Sequence, residues 1–293
     1  MDLRTFRELL GPEGQRALAE AERLLAAGTE PVAVITALRR TWSPELTSAA
    51  LTQAALRDRA RAKFGADAAV MYFTADGLEQ ATRPEVAGHR ARRIAALSPD
   101  PPALLDVCCG IGGDLIALAR AGHPVDAVDS DPLTVEIARA NAAALGLPAP
   151  VEVRVADAAE VDPSGYGLLF ADPGRRGAGG RTFDPMAYSP AWPVVLDLAH
   201  RAKAACIKAA PGIPAAPGIP YEHSGGRRGR VGLVPRRGEG GGDLDRDGGA
   251  RPPGDPAPVG RDAHRHRRPG GCRAGRPLPV RARRRRDPRP PDR

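Results

Sequence analysis

The feature that most restricts what this chain can fold into is an alternation of strand-like and helix-like runs between Ala103 and Lys208, opened by a strand that ends in a glycine-rich turn. ALLDVCC is apolar and strand-like, Gly113 to Ala121 has helical spacing, and PVDAVD is followed by a helical run from Pro132 to Leu145. VEVRVAD and GLLFAD follow as strands, then a helical run from Pro190 to Lys203 and a last strand, ACIKAAP. Strands separated by helices cannot be joined by tight hairpins, so the pattern predicts an α/β fold of the Rossmann-like kind, with a mostly parallel sheet between helices.

The turn after the first strand reads Asp106-Val107-Cys108-Cys109-Gly110-Ile111-Gly112-Gly113. Its glycines let the backbone approach a ligand, and the helix that follows offers unpaired N–H groups. A dinucleotide fingerprint needs a further glycine at position 115, which is Leu115, so a NAD-dependent oxidoreductase is disfavoured. Asp106, four residues before Gly110, suits a ligand with an ammonium or sulfonium charge and would repel a pyrophosphate. The second strand ends at Asp129, followed by Ser130, where a carboxylate can accept both hydroxyls of a ribose. The third ends at Asp157, placed to accept from an adenine amino group beside the Ala158 backbone. Each aspartate alone reads as a cap or turn residue. Three at successive strand ends make a site for an adenosine joined to an amino acid.

DVCCGIGG, AVDSDP, ARANAAALGL and VADAAEV resemble motifs I to III of class I S-adenosylmethionine-dependent methyltransferases, with Cys108 where the family has its first glycine. DVCCGIGGDLI, together with Ala81-Thr82-Arg83-Pro84-Glu85-Val86-Ala87-Gly88-His89, is similar to the RNA cap guanine-N2 (trimethylguanosine synthase) type. It also looks like bacterial methyltransferases that carry a THUMP-like C-terminal domain. The resemblance implies S-adenosyl-L-methionine as cofactor, held by Asp106, Cys108, Gly110, Gly112, Gly113, Asp129, Ser130, Asp157, Ala158 and Asp172. It also implies an RNA substrate methylated on a base amino group. Asp172-Pro173 stands where amino-group methyltransferases have a D/N/S-P-P-Y/W motif, with Gly174 and Arg175 in place of the second proline and the aromatic.

Asp172 and Pro173 are thus the expected acceptor-orienting pair. Arg175 and Arg176, with Arg181 beyond Gly177-Ala178-Gly179-Gly180, are candidates to hold a substrate phosphate or carboxylate, a salt bridge to Asp184 being the alternative. Tyr188 and Trp192 are candidate stacking aromatics, with core packing the alternative for Trp192. His89 and His200 lack partners at catalytic spacing and receive no role.

Residues 1–70 read as a helical domain, 71–221 as the methyltransferase core and 222–293 as a separate tail. The first helical run, from Thr5, is punctuated at Gly28 and Pro31; Ser43 and Pro44 are the expected cap and first residue of a helix ending near Phe64. The cluster Arg57, Arg59, Arg61 and Lys63 is expected to be a solvated helix face rather than a phosphate site. The tail holds 20 of the 43 basic residues and 9 of the 35 acidic ones, which leaves the preceding 221 residues slightly acidic. It lacks Phe, Trp, Tyr, Ile, Met and Lys, a composition expected to be disordered. AAPGIP occurs twice in tandem from Ala209 to Pro220, and with the abrupt change in composition it reads as an extension translated out of frame, a genuine disordered arm or a folded domain being the alternatives.

The sheet is accordingly expected to lack the antiparallel strands six and seven. A catalytically dead cofactor fold and a small-molecule methyltransferase stand as rival functions. Four cysteines without ligand spacing predict neither a metal site nor a disulfide framework, and fit a cytoplasmic protein. No run is long and apolar enough for a membrane span, and nothing specifies an oligomeric state.

Overall fold

The computed structural model describes residues 1–96, 102–174, 176–177, 180–181, 184–209, 221–222 and 230–235. The chain opens with helices α1 (Leu3–Leu10), α2 (Pro12–Ala26), α3 (Pro31–Leu38) and α4 (Pro44–Phe64). Asp2 caps α1 by accepting from the Thr5 N–H at 2.8 Å, and Ser43 caps α4 by accepting from Leu46 N at 3.1 Å. The run from Thr5 is broken once more than its spacing predicts. Gly11 stops α1, and Pro12, which needs no helical partner for its nitrogen, starts α2.

The charged cluster on α4 is not uniformly a solvated face. Arg57 is buried, and its guanidinium donates to the carbonyls of Met71 (2.9 Å) and Val70 (3.3 Å), pairs with Glu22 (3.0 Å) and lies over the Tyr72 ring. Lys63 donates to the Leu78 carbonyl at 2.6 Å. Arg57 thus satisfies carbonyls of an irregular segment, Val70 to Thr74, while Lys63 satisfies a carbonyl in the last turn of the short helix that follows it.

That segment follows a short 3-10 turn, Gly65–Ala69, and leads into α5 (Ala75–Gln80) and α6 (Pro84–Ala95). Its centre, Met71-Tyr72-Phe73, is buried and gripped by two amides. Gln53 of α4 exchanges hydrogen bonds with both backbone groups of Phe73 (2.6 and 3.0 Å). The Asn141 amide does the same with Tyr72 (2.6 and 3.1 Å).

Next come β1 (Leu104–Val107), α7 (Gly113–Arg120), β2 (Val125–Asp129), α8 (Pro132–Ala144), β3 (Val151–Val155) and β4 (Leu168–Ala171). A two-stranded ribbon, β5 (Arg176–Gly177) and β6 (Gly180–Arg181), precedes α9 (Trp192–Arg201), β7 (Ala204–Ala209), β8 (Tyr221–Glu222) and β9 (Arg230–Pro235). The main sheet has the order β3-β2-β1-β4-β7-β9-β8, and its first five strands are parallel. Every residue of β1 and β4 is buried, because helices cover both faces. Leu104, Leu168 and Phe170 pack on one side in a core continuous with Phe6, Leu38 and Phe73, while Leu105, Val107 and Leu169 pack on the other against Val195 and Leu198 of α9.

The Rossmann-like sheet matches expectation, but its expected early end does not hold. Arg230–Pro235 runs antiparallel to β7, and Tyr221–Glu222 runs antiparallel to it in turn. Val-Gly-Leu-Val is a sufficient strand signal by itself, and averaging it into a long Arg/Gly/Pro-rich segment hid it. The disorder and out-of-frame expectations for the rest of 222–293 lie outside the described residues.

Candidate active site

The carboxyl ends of β1, β2, β3 and β4 open into one cavity of about 750 Å³. Asp106, Cys108, Gly110, Gly113, Asp129, Ser130, Asp157, Ala158, Asp172 and Pro173 all line it. Its volume is that of a small-molecule site. Gly112 stands just behind the lining and starts α7 in the left-handed conformation, φ +93°. Gly110 is also left-handed, with open space where a Cβ would project. Cys108 adopts φ +66°, a conformation that disfavours side chains, so the turn keeps its shape despite the missing glycine.

Asp129 shapes this turn. One of its oxygens accepts from Gly110 N (3.0 Å) and the other from Asp131 N (3.1 Å). A carboxylate has about four acceptor positions, so both oxygens retain capacity for ribose hydroxyls. Burial pushes the Asp129 pKa up, and the backbone donors oppose that rise. Asp157 accepts from Ala159 N at 2.9 Å and projects from the rim. From behind, the Asn141 amide also donates to the Ile111 carbonyl at 2.9 Å, tying the turn to the buried Tyr72 strip.

Asp106 is 1% exposed, and neither of its oxygens has a hydrogen-bond partner among the described residues. Burial, then the nearby Asp172 and Asp129 carboxylates, drive its pKa well above the usual range, with Arg90 and Lys208 opposing. An orphaned buried carboxylate favours the arrival of a cation. The residues present therefore fit a ligand that combines an adenosine with ammonium and sulfonium charges. Burial and the same carboxylates raise the Cys108 and Cys109 thiols well above their ordinary range, which makes them poor nucleophiles. Among the described residues no cluster of His, Cys, Asp or Glu could hold a metal.

Beside Asp172 lies a polar chain with no local trace in the sequence. Lys208, at the end of β7, forms an ion pair with Asp172 and donates to Thr82 Oγ1 at 2.8 Å. Thr82 donates to Asp114 at 2.6 Å, and Asp114 pairs with the buried Arg90, whose guanidinium lies over the Phe170 ring. Lys208, Thr82 and Asp114 all line the cavity. Tyr188 lines it too, brought beside Pro173 by a backbone bridge between Gly174 and Ser189 (2.8 and 2.9 Å). Trp192 packs instead against the apolar cluster under α9, so its alternative role in the core is the one found. His89 and His200 are exposed and away from the cavity. Arg175, and the side chains of Arg176 and Arg181, lie outside the described residues.

Residues 104–169 match the family described as "Methyltransferase domain", and residues 2–60 match a domain of unknown function (DUF8688). Two Mycobacterium tuberculosis proteins, from strains CDC 1551 and H37Rv, are each 35% identical to this chain over 164 residues. Both are named as uncharacterized S-adenosylmethionine-dependent methyltransferases. The match covers 54% of this chain and 43% of each relative, so the chain spans less than half the length of these proteins. A crystal structure from Porphyromonas gingivalis W83, described as a candidate methyltransferase, superposes with a TM-score of 0.57 at 18% identity, over 75% of this chain and 58% of that one. Strand order, matched segment and superposition agree: the chain carries the Rossmann-like α/β fold of class I methyltransferases.

Proposed function

We propose that this chain is an S-adenosylmethionine-dependent methyltransferase that modifies an amino group of an RNA base. The observation that carries the cofactor half is the orphaned Asp106 carboxylate, set in a cavity whose rim presents Asp129 and Asp157. The names of the mycobacterial relatives agree with it. When bound, the cofactor supplies a methyl group activated by a sulfonium. Asp106 faces the ligand's positive charge, Asp129 accepts from the ribose and Asp157 from the adenine. Ala158 and the Gly110 to Gly113 backbone shape the walls.

Methyl transfer is an in-line displacement, so the protein contributes chiefly alignment and placed charge, effects worth up to roughly 7–11 kcal/mol. Asp172, at the end of β4, accepts from the acceptor's amino N–H and steadies the positive charge that develops there. The methylated nitrogen then loses one N–H proton to solvent, which completes the reaction without a dedicated base. Support for RNA comes from the Asp172-Pro173 motif and from the resemblance of the Thr82 to His89 segment to cap guanine-N2 enzymes, with Arg175 and Arg176 the proposed phosphate contacts. The free thiols Cys108, Cys109 and Cys206 accord with a reducing cytoplasm.

The test is calorimetric titration of the full chain with S-adenosylmethionine, followed by incubation of bulk RNA with methyl-labelled cofactor and nucleoside analysis. Binding, and label in an N-methylated base, are expected. Asp106→Asn should weaken binding, while Asp172→Ala should abolish transfer with binding retained. A folded protein that binds no cofactor refutes the assignment. Label found only in small molecules from a cell extract would transfer it to the small-molecule class.

A further inference from the structure

We propose that Lys208 and Asp172 act together as a reader of the acceptor's hydrogen-bonding edge, selecting an amino group that lies beside a ring nitrogen or carbonyl on a nucleobase. This rests on the methyltransferase reading above and adds a residue and a specificity to it.

An ammonium has three N–H donors. Lys208 gives one to Asp172 and one to Thr82 Oγ1, and its third has no partner among the described residues. Asp172 receives Lys208 on one oxygen, and its other oxygen has no described partner. The two side chains are only partly exposed, at 20% and 29%, and both line the cavity. The site therefore offers one spare donor immediately beside one spare acceptor. A group that fits both presents a donor next to an acceptor. The exocyclic NH₂ beside a ring nitrogen in cytosine, adenine and guanine does so; the N3–H of uracil between its carbonyls shares the pattern but offers no amino nitrogen to methylate. An alkyl amine offers no such neighbouring acceptor and would leave the Lys208 donor unpaired.

The pair is held for this task. Lys208 cannot swing toward solvent without giving up Thr82. Thr82 is itself fixed by Asp114, and Asp114 by the buried Arg90. Three separate elements thus set the angle of one ammonium. In the reaction Asp172 accepts one amino N–H while Lys208 donates to the neighbouring ring atom. The nitrogen lone pair is then turned toward the incoming methyl, and no proton passes through Lys208.

The experiment uses the full chain saturated with S-adenosylhomocysteine and measures binding of a short single-stranded RNA rich in cytidine, adenosine and guanosine against a uridine-only oligomer. Methyl transfer to the same oligomers from labelled S-adenosylmethionine is then followed. The wild type should transfer methyl to the amino-bearing oligomer and not to the uridine-only one. Lys208→Met should lose roughly tenfold or more in acceptor affinity and in transfer, the scale of one charge-assisted hydrogen bond. Its S-adenosylhomocysteine affinity should stay within about threefold, since the change touches the acceptor edge. Lys208→Arg, which keeps a cationic donor, should recover part of the loss, and a thermal melt establishes that each variant is folded. Thr82→Val, which keeps the Lys208 charge but removes the hydroxyl that fixes its angle, should weaken acceptor binding and transfer less than Lys208→Met does.

Equal use of both oligomers, an unchanged Lys208→Met, or an O-methylated product would overturn the edge reading while leaving the methyltransferase intact. A wild type that binds cofactor but neither oligomer would also overturn it. Failure to bind S-adenosylhomocysteine and S-adenosylmethionine at all would instead defeat the function beneath it.

Discussion

Replacing Asn141 by leucine should cost several kcal/mol of stability. Asn141 is fully buried, and its amide satisfies three backbone groups: the N–H and C=O of Tyr72 and the C=O of Ile111. Leucine keeps the branched shape, is somewhat larger, and offers none of these bonds. An orphaned buried polar group costs about 1–3 kcal/mol, more for the N–H and less for carbonyls, which retain a second lone pair. Three such groups, less the gain from added apolar surface and local relaxation, give about 3–5 kcal/mol. A domain of this kind has about 5–15 kcal/mol in all. Urea unfolding of the wild type and Asn141→Leu should resolve the difference as a lower midpoint. At about 2–4 °C per kcal/mol, the melting temperature should fall by about 10 °C. Because Ile111 belongs to the glycine turn, S-adenosylmethionine affinity should drop as well. A stability loss below about 1 kcal/mol would mean that the strip is not held through this amide, and would refute the reasoning.

Asp106→Asn should stabilise the protein above mild acidity. The folded chain keeps a proton on Asp106 that the unfolded chain releases once the pH passes about 4, so stability is full below that value and declines as pH rises toward the folded pKa. Unfolding midpoints across about pH 5–8 should be higher and flatter in the variant, while cofactor binding weakens; a wild-type slope retained by the variant would contradict the assignment. Gly112→Ala forces a side chain into φ +93° and should cost about 1–2 kcal/mol by thermal melt, from backbone strain alone, since the nearest atom to the new Cβ is an ordinary 3.7 Å away on Ile116. Arg57→Met keeps the apolar stem and loses the bonds to Met71, Val70 and Glu22, for an expected loss of about 2–3 kcal/mol in urea unfolding.

That the residues proposed for the cofactor gather at one cavity was legible because each is marked locally. Asp106 lies near the end of its strand, Asp129 ends one, Asp157 and Asp172 follow theirs, and parallel strands bring their carboxyl ends to one edge. The positive-φ turn is announced by glycines. Lys208, Thr82, Asp114 and Arg90 carry no such mark. Their pairings join residues 126, 36, 32 and 24 positions apart, and before folding Lys208 is one cation in an apolar strand and Arg90 one of several on a helix. Arg57 misled for the opposite reason: it shares a helix with exposed charges, and only the irregular segment packed across it decides that it points inward. The last two strands were hidden because composition was judged over a window far longer than the strands themselves.

The amide grip on Met71-Tyr72-Phe73 bears on how this protein can be taken apart. Gln53 holds the strip from the helical side and Asn141 from the sheet side, so a densely bonded stretch of irregular backbone lies where sequence alone would draw a seam. A fragment begun at residue 104 would carry the whole cofactor turn and yet strand the Asn141 amide, with Tyr72 gone and only Ile111 left to bond. The piece that looks self-sufficient by motif is thus missing part of its own scaffold. Anyone grafting this cofactor cradle into another chain would have to bring the strip with it.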